Sequence, residues 1–66
     1  MKNYLREERI NKELTQVQLA EMVNVSRQTI ISIETGRYIP SVLLSLKLAT
    51  ALGKKVEALF ELEKSD

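Results

Sequence analysis

The 66-residue sequence contains neither cysteine nor histidine. Without cysteine there is no disulfide framework, no thiolate metal site and no thiol nucleophile. Without histidine the commonest metal ligand and general base is missing. No glycine-rich phosphate loop is present, and no carboxylate stands beside a second positioned acid or base. No metal, no other cofactor and no enzymatic activity is therefore expected. Apolar runs fall well short of the roughly 18 residues that a membrane-spanning helix needs. The N-terminal stretch Met1–Glu8 lacks the apolar segment of a signal peptide. A cytoplasmic protein with no membrane partner is expected.

What is present points to a small soluble domain. Apolar residues make up 44% and charged residues 29% of the chain, the balance of a globular protein and not of a disordered tail. A chain this short buries only about 60% of the surface that its unfolded form exposes. One domain spanning residues 1–66 is expected, stabilised by regular packing and by a partner chain. The net charge is +1, but it is unevenly spread. Residues 1–23 are neutral. Residues 24–55 carry Arg27, Arg37, Lys47, Lys54 and Lys55 against Glu34 alone, a net +4. Residues 56–66 carry Lys64 against Glu57, Glu61, Glu63 and Asp66, a net −3. A basic middle suits an anionic partner; chance clustering of solvated charges is the alternative.

Apolar spacing is helical throughout, punctuated by Gly36, Pro40 and Gly53. The spacing predicts a first helix over about Asn3–Lys12, with Leu5, Arg9 and Lys12 on one face and Ile10 beside them. Thr15 then opens a second helix, Gln16–Val23. Gln18 lies three residues after Thr15, the pattern of a capping box, and Leu14 is placed to pack on Leu19 as a hydrophobic staple. Asn24 tolerates the left-handed backbone that ends a helix. Ser26 caps a third helix, Arg27–Thr35, with Ile30, Ile33 and Glu34 on one face and Arg27, Gln28, Ile31 and Ser32 on the other. Gly36 stops it, and Ser41 caps a fourth helix, Val42–Leu52, stopped by Gly53. That helix is apolar nearly all round, which suggests burial on several sides and hints at a dimer. A short fifth helix, about Val56–Leu62, follows, with room for an extended tail.

The stretch from Leu14 to Pro40 carries the functional signal. Two short helices meet across a tight turn, small Ala20 lies where they approach, and the second opens with Arg27-Gln28-Thr29. This is the helix-turn-helix pattern. With Leu14-Thr15-Gln16, Leu19-Ala20, Val23-Asn24-Val25-Ser26-Arg27-Gln28-Thr29-Ile30, Ile33-Glu34, Gly36-Arg37-Tyr38, Pro40-Ser41, Leu48-Ala49 and Leu52-Gly53, the chain resembles the small helix-turn-helix regulators of the lambda Cro and repressor type, often called Xre-like. About 50 of the 66 residues carry the likeness, without insertions. It implies an all-α, five-helix, lambda-repressor-like DNA-binding domain.

Residue chemistry agrees with that role. Arg27 can donate two hydrogen bonds to guanine, and Gln28 can pair bidentately with adenine. Both lie in the first helical turn, whose positive end favours nearby phosphates. Thr29 and Ser32 are weaker base contacts. Ile31 can meet a thymine methyl or pack sideways on a neighbouring loop. Ser26, Arg37 and Tyr38 are candidates for phosphate contact, and the resemblance implies a backbone-clamping role for Gln16. The alternative for these residues is a solvated helix face. The resemblance also implies that Arg9 and Glu34 form a buried structural ion pair joining the first and third helices. Glu13 and Asn24 stand where relatives commonly have glycine, and Glu8 where many are apolar.

The function expected from these residues is sequence-specific binding of double-stranded DNA by a homodimer, as a repressor on a palindromic operator, with helix 27–35 in the major groove. Leu43, Leu44, Leu59, Phe60 and Leu62 are the candidate interface residues; filling one small core is their alternative role. No small-molecule ligand is expected. A competing reading is an antitoxin-like interaction module, gripping a partner protein through its acidic C-terminus with DNA binding secondary.

Overall fold

A computed structural model describes residues 1–66. Its elements, in chain order, are β1 (Lys2–Asn3), α1 (Leu5–Asn11), α2 (Gln16–Met22), α3 (Arg27–Glu34), α4 (Val42–Leu52), α5 (Val56–Leu59) and β2 (Phe60–Glu61). Five helices therefore make the fold, and two very short strands tie its ends.

Hydroxyl caps set three of the helix starts. The Thr15 side chain accepts from the Gln18 N–H at 3.0 Å, while the Gln18 side chain accepts from the Thr15 N–H at 2.8 Å. Both halves of the capping box are thus made. Ser26 accepts from the Thr29 N–H at 3.2 Å and opens α3. Ser41 accepts from the Leu44 N–H at 3.1 Å and opens α4. Each bond satisfies a helix-end donor that would otherwise need water. Left-handed residues set the stops: Asn24 at φ 58° between α2 and α3, and Gly53 at φ 64° after α4.

The core lies where the helices converge. Leu5 from α1, Leu19 from α2, Ile30 and Ile33 from α3, Leu48 and Leu52 from α4, and Leu59 from α5 are all fully buried. Leu14 packs against this cluster from its place before the Thr15 cap. Ala20 is also buried, and its carbonyl accepts from the Val25 N–H at 3.0 Å. A larger side chain at Ala20 would have to displace its neighbours in the core.

Both ends of the chain depart from the sequence reading. Helix α1 begins at Leu5 and not at Asn3, because Lys2 and Asn3 pair antiparallel with Glu61 and Phe60. The Tyr4 N–H extends this ladder by donating to the Leu59 carbonyl at 2.7 Å. For the same reason α5 stops at Leu59, and Phe60–Glu61 after it are extended. Ile10 and Lys12, expected beside or on the inward face of α1, are exposed, leaving Leu5 and Arg9 as its buried residues. A helix of seven residues spans about two turns, and two inward positions are all that its short contact line allows.

Helix α4 is not buried all round. Leu44, Ser45, Leu48, Ala49 and Leu52 face inward, while Val42, Leu43 and Leu46 face outward. Of the residues expected at a dimer interface, Leu44, Leu59 and Phe60 are buried in this chain's own core. The expectation is corrected for those three: they have almost no surface left to offer a partner. Leu43 and Leu62 are 64% and 79% exposed.

Candidate nucleic-acid interface

The tight turn Val23–Ser26 brings α3 across α2 and fixes which face of α3 looks outward. Ile30 and Ile33 anchor one side of α3 in the core. The opposite side then carries Arg27 and Gln28, both exposed, and Ile31 and Ser32, both half-buried. Thr29 is half-buried between the two sides, with its hydroxyl 3.1 Å from that of Ser26. The half-burial of Ile31 leaves part of its side chain available on the outer face.

Two recesses lined mainly by polar residues flank α3. Ser26, Gln28, Thr29, Ser32 and Tyr38 line the first. The loop after α3 builds its far wall. The Arg37 and Tyr38 N–H groups both donate to the Ser32 carbonyl, at 2.9 and 3.2 Å, which folds the loop back beside the helix. Gly36 makes this possible at φ 78°, a conformation that is easily reached only without a Cβ. Tyr38 and Arg37 are both exposed.

Arg6, Arg9, Thr15, Gln16, Glu34 and Thr35 line the second recess, and no apolar residue contributes to it. At its base lies the ion pair. Arg9 Nε donates to Glu34 Oε2 at 2.7 Å and Arg9 Nη2 donates to Glu34 Oε1 at 3.2 Å. Their side chains are 11% and 4% exposed, so the pair is nearly dry. Arg9 Nη1 donates to the Leu14 carbonyl at 2.8 Å. The Glu34 hydrogen bond raises the Arg9 pKa above its ordinary value, against a smaller opposing effect of burial. Arg9 is charged at any pH at which the protein folds.

Gln16 bridges the ion pair to the outer face of α3. Its Nε2 donates to Glu34 Oε1 at 3.2 Å, and its Oε1 accepts from Arg27 Nε at 3.3 Å. Most of the sequence-derived candidates on this side of the molecule thus fall into two groups, with Ile31 and Arg37 in neither. Ser26, Gln28, Thr29, Ser32 and Tyr38 share one recess, while Arg9, Gln16, Glu34 and Arg27 share one hydrogen-bonded line. Leu43 and Leu62 stand apart from both.

Sequence reasoning missed two contributors. Arg6 lies one turn before Arg9 on α1 and is exposed on the rim of the second recess. Its spacing from Arg9 was the available signal. Asn3 donates from its side chain to the Ile33 carbonyl at 3.1 Å, closing the C-terminal end of α3 from β1. No local pattern signals that contact, which depends on the pairing of the chain ends.

Comparison with known proteins agrees with this arrangement. A helix-turn-helix family model matches residues 5–59. The uncharacterized HTH-type transcriptional regulator YgzD of Bacillus subtilis (strain 168) is 44% identical over 66 residues, covering all of both chains. The immunity repressor protein of Bacillus phage phi105 is 47% identical over 51 residues, which are 77% of this chain and 35% of that protein. Among solved structures, the restriction-modification controller protein C.AhdI from Aeromonas hydrophila superposes with a TM-score of 0.79 at 39% identity, covering 85% of each chain. With its fold, the geometry of its two motif helices and these likenesses in accord, the chain belongs to the Xre-like helix-turn-helix family of transcriptional regulators.

Proposed function

We propose that this regulator is a repressor that binds a palindromic operator as a homodimer, with α3 of each copy in the major groove. The observation that carries the reading is the outward face of α3. Its capped N-terminal turn presents Arg27 and Gln28 beside a polar recess, and Ile30 and Ile33 lock the helix from behind. Arg27 reads guanine and Gln28 reads adenine, while Thr29, Ile31 and Ser32 complete the base-reading face. Gln16, Ser26, Arg37 and Tyr38, together with Arg6, contact phosphates on either side and fix the register without specifying sequence. The similarity to a phage immunity repressor supports the sign of regulation.

A dimer follows from the size of the contact. One such module covers only about four to six base pairs, so useful specificity needs two copies. Surface chemistry supplies a face for it. Met22, Ile39, Val42, Leu43 and Leu46 are all exposed apolar side chains, and Met22, Leu43 and Leu46 border one groove between α2 and α4. This face replaces the buried Leu44, Leu59 and Phe60 as the surface for a second copy.

Sedimentation of the protein with and without operator-length duplexes, repeated over a salt series, tests the reading. Two copies per duplex and affinity falling steeply with salt are expected, since counterion release supplies much of the binding. One copy per duplex, or an affinity indifferent to salt, would contradict it.

A further inference from the structure

Four side chains from three helices form a single hydrogen-bonded line that runs from the interior to the outer face of α3. It starts at Arg9 on α1, passes through Glu34 in the last turn of α3 and Gln16 at the start of α2, and ends at Arg27 in the first turn of α3. Glu34 Oε1 is shared, accepting from both Arg9 Nη2 and Gln16 Nε2, each at 3.2 Å. Residues 27 and 34 are seven apart, close to two full helical turns, so both lie on the side of α3 that faces Gln16.

The chemistry of the line selects one orientation of the Gln16 amide. A glutamine amide has a donor end and an acceptor end of nearly the same shape. Turned over, it would set its carbonyl oxygen against the Glu34 carboxylate and its NH2 group against the Arg27 guanidinium. Both contacts would be repulsive. The buried carboxylate therefore holds the amide with its oxygen toward Arg27, and Arg27 Nε is engaged in turn. Nη1 and Nη2 of Arg27 make no side-chain hydrogen bond within the chain and remain as a pair of donors. The second hydrogen on Gln16 Nε2 remains for a phosphate oxygen.

We infer that the Arg9–Glu34 ion pair is a positioning device for Arg27, acting through Gln16, and not only a staple between α1 and α3. The inference rests on base reading by Arg27. An arginine on an exposed helix samples many rotamers, and ordering it opposes binding. Tethering Nε removes part of that freedom before DNA arrives. It also limits the reorientation by which the guanidinium could adapt to a base other than guanine. Arg9 and Glu34 are thus positioning residues.

The test compares base preference at every operator position for the intact chain and three variants, by competition binding. Arg27→Ala identifies the position that Arg27 reads, where a guanine preference of about 5- to 150-fold is expected to vanish. Arg9→Met/Glu34→Leu removes the ion pair without leaving a buried charge alone, a replacement that small proteins often tolerate. Gln16→Met, at a half-buried helix start, removes the bonds to Glu34 and Arg27 but neither Arg9–Glu34 bond. Both are expected to lower the guanine preference at that one position by at least about twofold, the lower edge of coupling within one hydrogen-bonded network. Neither is expected to lower it further when combined with Arg27→Ala. Preferences at the other positions are expected to stay unchanged, which a staple-only role could not produce.

Full guanine preference in Gln16→Met, or in a folded Arg9→Met/Glu34→Leu variant, would overturn the inference. If the double variant does not fold, Gln16→Met tests the link to Arg27, and Glu34→Gln, which removes the carboxylate charge that orients the Gln16 amide, tests the pair by the same readout. If Arg27→Ala itself alters no preference, the base-reading role fails, and the inference falls with it by a separately visible route.

Discussion

Arg27 and Arg37 carry the same charge and are expected to fail differently. If α3 reads DNA as proposed, replacing Arg27 by alanine is expected to cost about 1–3 kcal/mol in binding, concentrated at one operator position. Arg37 is proposed to contact phosphate, so its replacement should weaken binding about equally on all sequences, and the slope of log affinity against log salt should fall by about 1 per copy. Titrations on specific and scrambled duplexes at several salt concentrations separate the two. Glu34→Ala acts on the fold. It strands Arg9 in a nearly dry site, an effect of roughly 3–5 kcal/mol. A chain of this size has only about 3–10 kcal/mol in all, so urea denaturation is expected to find the variant largely or wholly unfolded. At this scale the sequence is legible where helical periodicity applies: Ile30 and Ile33 inward, Arg27 and Gln28 outward. The meeting of Arg9 with Glu34 was legible only through the family resemblance, because periodicity assigns faces but not partners. The contact between Gln16 and Arg27 spans eleven positions and a turn whose angle no local pattern specifies.

Among the elements, the turns are where the chain stores strain. Glu13 and Asn24 both hold φ at 58°. A side chain in that region costs about 1–2 kcal/mol, and asparagine is the more tolerant because its side chain can bond locally. Glycine would remove the strain but make the unfolded chain more flexible, at about 0.5–1 kcal/mol. Glu13→Gly is therefore expected to stabilise the protein by up to about 1 kcal/mol, and Asn24→Gly to change it little. Denaturation midpoints of the two variants check this, and a clear loss in Glu13→Gly would show that its side chain does more than occupy a turn. Helix starts were readable because Thr15, Ser26 and Ser41 are caps whose chemistry is local. The strands were not readable. Two residues show no alternation, and the pairing of Lys2–Asn3 with Phe60–Glu61 joins the extremes of the chain.

The longest dimension of the molecule is 32 Å. In the proposed complex a molecule of this size brings a single recognition helix to the DNA, and a second copy is needed to reach the next major groove, about 34 Å away. Leu43→Glu places a charge on the proposed interface at a position that is 64% exposed. It is expected to shift sedimentation toward monomer while leaving the helical circular-dichroism signal intact. The closure of the chain ends has its own pH window. The Met1 amino group lies 3.0 Å from carboxylate oxygens of both Glu63 and Asp66. Hydrogen bonds to Glu63 and then to Asp66 raise its pKa. The Glu63 N–H, and then the Met1 amino group, lower that of Asp66. A raised amine supports the closed ends below its ordinary pKa of about 8 and loses that support as pH rises through its folded value. A lowered carboxyl supports them above about pH 4 and loses that support as pH falls through its folded value. The Glu63 amide resonance should move at both edges of this window; one carboxyl titration at the ordinary aspartate position would show the ends apart in solution.

The central claim is that two copies of α3 read a two-fold symmetric DNA sequence. Selection of binding sites from a random duplex pool with the intact protein addresses it most directly. The expected result is an enriched inverted repeat whose half-sites lie about one helical turn apart, with guanine and adenine among the fixed bases of each half. A folded protein that enriches no sequence would contradict the claim, and would move the function to a partner held by the acidic C-terminus.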